Sequence, residues 1–203
     1  MLNKSAVTDH PIHPLLCDRW SPRAFDSRPI PRDDLLRMLE AARWSPSSLN
    51  EQPWRFIVVP HAEADTFERA VASLNAGNIL WAKHVPLLLL AAAKLNRDNG
   101  EHNRTAIYDL GQAVAHLSFQ AAALGLWVHQ IGGFDQNQAR ALFSIPVGYE
   151  PVTWIAIGER GDHNALPDAL RQRELVLRMR NPLTTFVFGG RWGRLAPILS
   201  RDS

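Results

Sequence analysis

At 203 residues, with 46% hydrophobic and 21% charged residues, the chain has the make-up of one globular domain, which excludes a disordered or fibrous protein. A domain of this mass buries about 70% of its unfolded surface on folding, enough for one core without metals or disulfides. The formal charge is only +2, and the single cysteine, Cys17, excludes an internal disulfide, a cysteine-rich zinc cluster and an iron–sulfur cluster. One cysteine suits a reducing compartment, so a cytoplasmic location is expected. Met1–Pro14 has no hydrophobic stretch of the signal-peptide kind. It reads as an arm.

The first helix expected is the run after Pro31, where Asp33-Asp34 precede Leu35, Leu36, Met38, Leu39, Ala41 and Ala42. Ser45 to Pro53 then breaks all periodicity and reads as a loop rich in hydrogen-bonding groups. Trp54–Val59 is a strand by its β-branched and aromatic content, and Ala62–Leu74 a helix with Phe67, Ala70, Val71 and Leu74 on one side. A short amphipathic piece through Trp81 leads into Val85–Ala93, the longest apolar run. It is far too short to cross a membrane as a helix and reads as a buried strand. Residues 94–104 are polar and expected at the surface.

Thr105–Leu124 is the longest expected helix. Ile107, Leu110, Val114, Leu117, Ala121 and Leu124 form its stripe, while Ala106, Ala113, Ala115, Phe119, Ala122 and Ala123 leave its other faces apolar too. Such a helix is buried on every side, and a subunit interface is one way to enclose it. Trp127–Ile131 and Val152–Ile157 read as strands, Asn137–Leu142 as a short helix, and a last helix follows Asp168 with Leu170, Leu175 and Leu177. Interleaved helices and strands favour an α+β fold, a mixed central sheet flanked by helices. The expected organisation is an arm over 1–16, one domain over 17–195 and a tail over 196–203.

No nucleophile elbow, phosphate-binding P-loop, zincin helix or dinucleotide fingerprint occurs, and the eight histidines lack metal spacing. No metal site is expected. Three other pieces carry chemistry. In Arg19-Trp20-Ser21-Pro22-Arg23, alternate residues of an extended segment put Arg19, Ser21 and Arg23 on one side, where two guanidiniums and a hydroxyl suit phosphate. The loop containing Pro46, Ser47, Ser48 and Asn50 can bind the rim of a planar heterocycle. Val128-His129-Gln130-Ile131-Gly132-Gly133 ends a strand on a glycine pair. Residues 175–203 add Arg178, Arg180, Arg191, Arg194 and Arg201 against Asp202. Five arginines suit the phosphate of one small ligand as well as a polymer footprint, but with an excess of only two charges nucleic acid is not expected as a partner, and with no apolar run long enough to span neither is a membrane.

In order along the chain, R-x-S-x-R, P-S-x-x-N-x-Q-P-W, Asn78 with Trp81-Ala82, and G-G-F-D make the sequence resemble the flavin-dependent nitroreductase family over about residues 17–195. The resemblance implies a homodimer with FMN at the subunit interface, reduced by NADH or NADPH and discharged onto a small nitroaromatic, quinone or similar acceptor by a ping-pong mechanism. Other flavin outcomes, reductive dehalogenation or oxidative aromatisation, would carry the same motifs, and a non-catalytic flavin-binding protein is the alternative from another class. By motif, Arg19, Ser21, Arg23, Arg178 and Arg180 would hold the phosphate end. Pro46, Ser47, Ser48 and Asn50 would lie along the flavin, with the serines reached from the partner subunit. Asn78 would bond the pyrimidine edge, with Asn75 as its rival, and Gln130, Ile131, Gly132 and Gly133 would run beside the ring. The backbone N–H of Gly132 would sit near N5, where several relatives carry Glu. His129 adjoins this strand with its role open. Cys17 is expected as a small buried hydrophobe, and Tyr108 and Trp127 as core or interface aromatics.

Overall fold

The computed structural model describes residues 4–200. Arg201 and Asp202 of the basic tail, and the outermost residues of the expected arm and tail, lie outside the described residues. In chain order the helices and strands are α1 (Pro14–Asp18), α2 (Arg32–Arg43), β1 (Trp54–Pro60), α3 (Ala64–Ala72), α4 (Ala76–Ala82), β2 (Leu87–Lys94), α5 (Ala106–Ala123), β3 (Trp127–Ile131), α6 (Gln136–Leu142), β4 (Tyr149–Gly158) and α7 (Asp168–Leu175). Local chemistry starts several of them. His13 accepts the Leu15 N–H ahead of α1 and Asp135 accepts the Gln138 N–H ahead of α6, while Asp33 and Asp34 sit in the first turn of α2.

The four strands form one sheet in the order β1-β2-β4-β3. Every pairing is antiparallel, so the expected mixed sheet is corrected to an antiparallel one. β2 is buried over Leu87–Ala93 because helices cover both faces, and its side chains sort by the period of two. Leu87, Leu89, Ala91 and Ala93 join Ile155 and Ile157 of β4 beneath α2 and α5. Leu88 and Leu90 join Trp154 and Ala156 on the opposite face, with Phe67, Trp81 and Ala139 from α3, α4 and α6. β3 is an edge strand, directly preceded by α5 through the turn at Gly125.

Four further expectations change. β4 begins at Tyr149, ahead of the expected Val152, because Tyr149, Glu150 and Pro151 pair with the end of β2 beyond a register shift at Ala91/Ala92. α7 stops at Leu175, which leaves Leu177 79% exposed beyond it. α5 buries Leu110, Val114, Leu117 and Ala121, as its stripe requires, but Ile107 is half exposed and Tyr108 faces solvent. Tyr108 is therefore not a core residue of the single chain. The open face of α5 follows an i, i+4 row, Ile107, Gly111, Ala115, Phe119 and Ala123, none of them buried. Cys17 is half-buried, not enclosed.

Candidate functional site

The arginine motif leaves α1 in an extended conformation at Arg19, φ −62° and ψ 124°. Trp20, Pro22 and Ala24 turn inward and are buried, which puts Arg19, Ser21 and Arg23 together on the outer side. Arg19 Nη1 lies 3.5 Å from Ser21 Oγ. The far end of the chain comes back to this place. Arg178 donates through Nη1 to the carbonyls of Lys4, at 2.9 Å, and of Cys17, and it lies near Arg180. Burial, and then the charges of Arg178 and Arg180, push the Arg19 guanidinium below its ordinary range. Burial and Arg180 do the same to Arg178. Like charges thus add to the penalty of burial at Arg19 and Arg178, and an anion beside them would offset both.

Downstream, Phe25 bridges to Arg160, with Asp26 N–H on Glu159 O and Gly161 N–H on Ala24 O. A Cβ on Gly161 would stand 2.6 Å from the Phe25 carbonyl, so only glycine admits this close approach.

β3 runs away from the cradle. His129 of β3 lies 2.7 Å from Pro22 O and packs against Trp81, ring centroids 4.5 Å apart. Burial lowers its pKa to about 4. Gln130 is exposed and Ile131 buried. At the far end Gly133 O accepts both the Asn75 N–H and Asn78 Nδ2, each at 3.0 Å. The two rival asparagines thus meet one carbonyl, Asn75 by its backbone and Asn78 by its side chain. A Cβ on Gly133 would come within 2.7 Å of Asn78 Nδ2, whereas one on Gly132 would meet nothing within 4 Å. Gly132 is therefore open to a ligand or a larger side chain. The five steps from Trp127 to Gly132 span about 16 Å of chain.

The serine-rich loop is elsewhere. Leu49 (φ 53°), Asn50 (φ 56°) and Gln52 (φ 45°) occupy the left-handed region although none is glycine. Such residues persist where the surroundings over-determine them. Here Ser47 Oγ accepts the Gln52 N–H at 3.0 Å, and Asp109 Oδ2 accepts the Ser48 N–H at 3.2 Å. Pro46 and Asn50 are exposed, Ser47 and Ser48 half-buried. Asp109 lies in the first turn of α5, whereas Arg19 shares a cavity of about 120 Å³ with Ser118 and Ala122 near its last turn. From Asp109 to Ala122 the helix rises about 20 Å. Within one chain the structure brings Arg19, Ser21, Arg23, Arg178 and Arg180 together, connects them through β3 to Gly132, Gly133 and Asn78, and leaves Pro46, Ser47, Ser48 and Asn50 at the other end of α5.

Two buried acids escaped the sequence reading. Asp109 is 2% exposed and Glu174 is 1% exposed. The signal for Asp109 was its standing as the sole acid in α5, and that for Glu174 its i, i+4 spacing from buried Leu170.

The nitroreductase family model matches residues 16–159. The chain belongs to the nitroreductase family. A solved oxidoreductase containing FMN is 36% identical, with a TM-score of 0.88 over 96% of this chain and 99% of that one. An uncharacterized 15.4 kDa protein of Mycolicibacterium smegmatis is 36% identical over 135 residues, 65% of this chain and 88% of its own. An FMN reductase (NAD(P)H) of Bacillus subtilis is 27% identical over 175 residues, 77% of this chain and 69% of its own. The nitroreductase match ends at Glu159, so the part of the cradle contributed by Glu174, Arg178 and Arg180 lies beyond it. No helix among the described residues of this nitroreductase is long and apolar enough to cross a membrane.

Proposed function

We propose that this nitroreductase is an FMN-dependent oxidoreductase that takes hydride from NADH or NADPH and passes it to a small nitroaromatic, quinone or related acceptor in a ping-pong cycle. The observation that carries the reading is the gathering of Arg19, Ser21, Arg23, Arg178 and Arg180 at one end of β3, with open Gly132 at the other. A phosphate suits the first end, because guanidinium forks match its oxygens and its charge offsets the burial, and then the like charges, that depress Arg19 and Arg178. A flat ring suits the second, because nothing stands over Gly132.

Bound FMN would supply the two-electron chemistry between the nicotinamide and the acceptor. The chain holds and orients. Arg19, Arg23, Arg178 and Arg180 would hold the phosphate with the Ser21 hydroxyl, and Gln130 and Gly133 would border the ring, with Ile131 reaching it only through its backbone because its side chain is in the core. The backbone N–H of Gly132 would be the donor that stabilises charge at the ring nitrogen. Asn78 spends one amide hydrogen on Gly133 O and keeps its second hydrogen and its carbonyl oxygen for a ring edge. Hydride transfer needs no protein nucleophile.

Pro46, Ser47, Ser48 and Asn50 serve the site of a second subunit in this reading. A two-fold axis across the open row Ile107, Gly111, Ala115, Phe119, Ala123 sets the first turn of one α5 beside the last turn of its partner. That brings each loop to the other chain's cradle. The test is an absorbance spectrum of the purified protein with identification of released cofactor, light-scattering mass, and anaerobic titration with NADH and NADPH. FMN at one per chain in a dimer, bleached by a nicotinamide and reoxidised by a quinone or nitroaromatic, is expected. FAD in its place, or a monomer with full FMN and turnover, overturns the reading.

A further inference from the structure

One peptide group of the cradle, that between Pro22 and Arg23, is held from both sides by side chains distant in sequence. Its carbonyl oxygen lies 2.7 Å from His129 Nδ1 on β3. Its N–H donates to Glu174 Oε1 on α7 at 2.9 Å. A carbonyl only accepts, so Nδ1 carries the proton and His129 is the Nδ1–H tautomer. The ring is fixed in turn by Trp81, which stacks on Phe25 at 6.1 Å. On the other side Glu174 is 1% exposed, and its own carbonyl accepts Lys4 Nζ at 2.7 Å.

The place of this peptide gives the contacts their consequence. Proline fixes its own φ, so the freedom left between residues 22 and 23 is rotation about ψ of Pro22 and φ of Arg23. Those two rotations swing the Arg23 side chain relative to Ser21 and Arg19, and they are the ones the two hydrogen bonds stop. The charge pattern agrees. Glu174 Oε2 has no hydrogen-bond partner and stands 3.7 Å from Arg23 Nη1, too far for a hydrogen bond. Its charge balances the guanidinium while the fork of Arg23 stays free for another anion. A neutral His129 beside Arg23 and Arg19 adds no repulsion.

We infer that His129 and Glu174 are positioning residues which clamp the Pro22–Arg23 peptide and so aim Arg23 and Ser21 at the phosphate of the cofactor. The inference rests on the cradle being the phosphate site. Its value is preorganisation, since a cradle already in the bound conformation loses less freedom when the anion arrives.

Titration of the apoprotein with FMN and with riboflavin, which lacks the phosphate, tests it. His129→Leu and Glu174→Leu remove the clamp. His129→Asn keeps a nitrogen donor the same number of bonds from Cα, and Glu174→Gln keeps the acceptor oxygen. The Leu variants are expected to weaken FMN about tenfold and riboflavin less than about twofold, while the Asn and Gln variants stay within about twofold of wild type. The double Leu variant is expected to lose no more than the worse single one, because both act on one peptide. Equal losses for FMN and riboflavin, no rescue by Asn and Gln, or additive losses overturn the clamp. If Glu174→Leu does not fold, the His129 pair decides the matter by the same comparison. Wild-type protein that holds riboflavin as tightly as FMN overturns the phosphate site and the clamp with it. Discrimination kept by the wild type and every variant overturns the clamp alone.

Discussion

The buried carboxylate of Asp109 accepts the backbone N–H of Ser48 at 3.2 Å, across 61 residues of chain. The same oxygen accepts the Thr105 hydroxyl at 3.1 Å. This contact ties the left-handed turn at Leu49 and Asn50 to the first turn of α5. Asp109→Ala removes hydrogen bonds to a charged acceptor, each worth about 1.5–3 kcal/mol. Urea unfolding is expected to show a loss of at least the lower figure, with faster proteolysis near Leu49. Unchanged stability would mean that the turn holds itself.

Arg19 tests the cradle by a different property, since burial, and then the charges of Arg178 and Arg180, already depress it. Arg19→Ala removes one charge-assisted contact to phosphate, and FMN affinity is expected to fall about 10- to 150-fold. Riboflavin affinity should barely move. Equal losses for both ligands would place Arg19 away from the phosphate.

The two glycines after β3 make opposite demands. A methyl group at Gly133 meets Asn78 Nδ2 at 2.7 Å, so Gly133→Ala is expected to displace the Asn78 amide and weaken flavin binding. A methyl group at Gly132 has open space, and Gly132→Ala should fold with stability within about 0.5 kcal/mol of wild type. Parallel measurement of melting temperature and flavin affinity separates them. The same result for both variants would contradict this geometry.

His129 sets a pH dependence. Its pKa is lowered from 6.5 to about 4, chiefly by burial, so the native state resists a proton that the unfolded chain accepts. The stability it contributes is complete above about pH 6.5 and is lost as pH falls toward 4, a change of about 3 kcal/mol. Carboxylates also titrate in that range, so the measurement is a difference. Between pH 7 and 4.5, wild type should lose more unfolding free energy than His129→Asn. Equal slopes would show a solvated imidazole.

The open row on α5 predicts the outcome of a charge at its centre. Ala115→Glu places a carboxylate between Gly111 and Phe119, where a two-fold contact would bury it without a partner. Subunit separation together with flavin loss is the expected result by light scattering and absorbance. A variant that stays dimeric with intact flavin moves the interface off this row.

Periodicity and turn chemistry are local, and they were legible. The buried strand at Leu87 follows from a short continuous apolar run, and the stripe Leu110, Val114, Leu117 and Ala121 and the alternation that turns Arg19, Ser21 and Arg23 to one side follow from repeats of about three and a half and of two residues. The motifs were legible as stretches of chain for the same reason, because residue types able to bind phosphate or border a ring stand close together in sequence. The antiparallel sense of the sheet was not legible, since an apolar run reads the same whichever way its neighbour points.

What the sequence determined by itself, then, was which residue types could serve a flavin and which faces were apolar. Tertiary structure alone decided which of them meet. Glu174 reaches the Arg23 N–H across 151 residues, and Arg178 reaches the Cys17 carbonyl across 161. The spacing from Leu170 turns Glu174 inward, but no local pattern says which distant backbone group either side chain meets. The separation of Ser47 and Ser48 from Arg19 is of the same kind. It comes from the length of α5, a rigid rod whose two ends hold the two motifs about 20 Å apart.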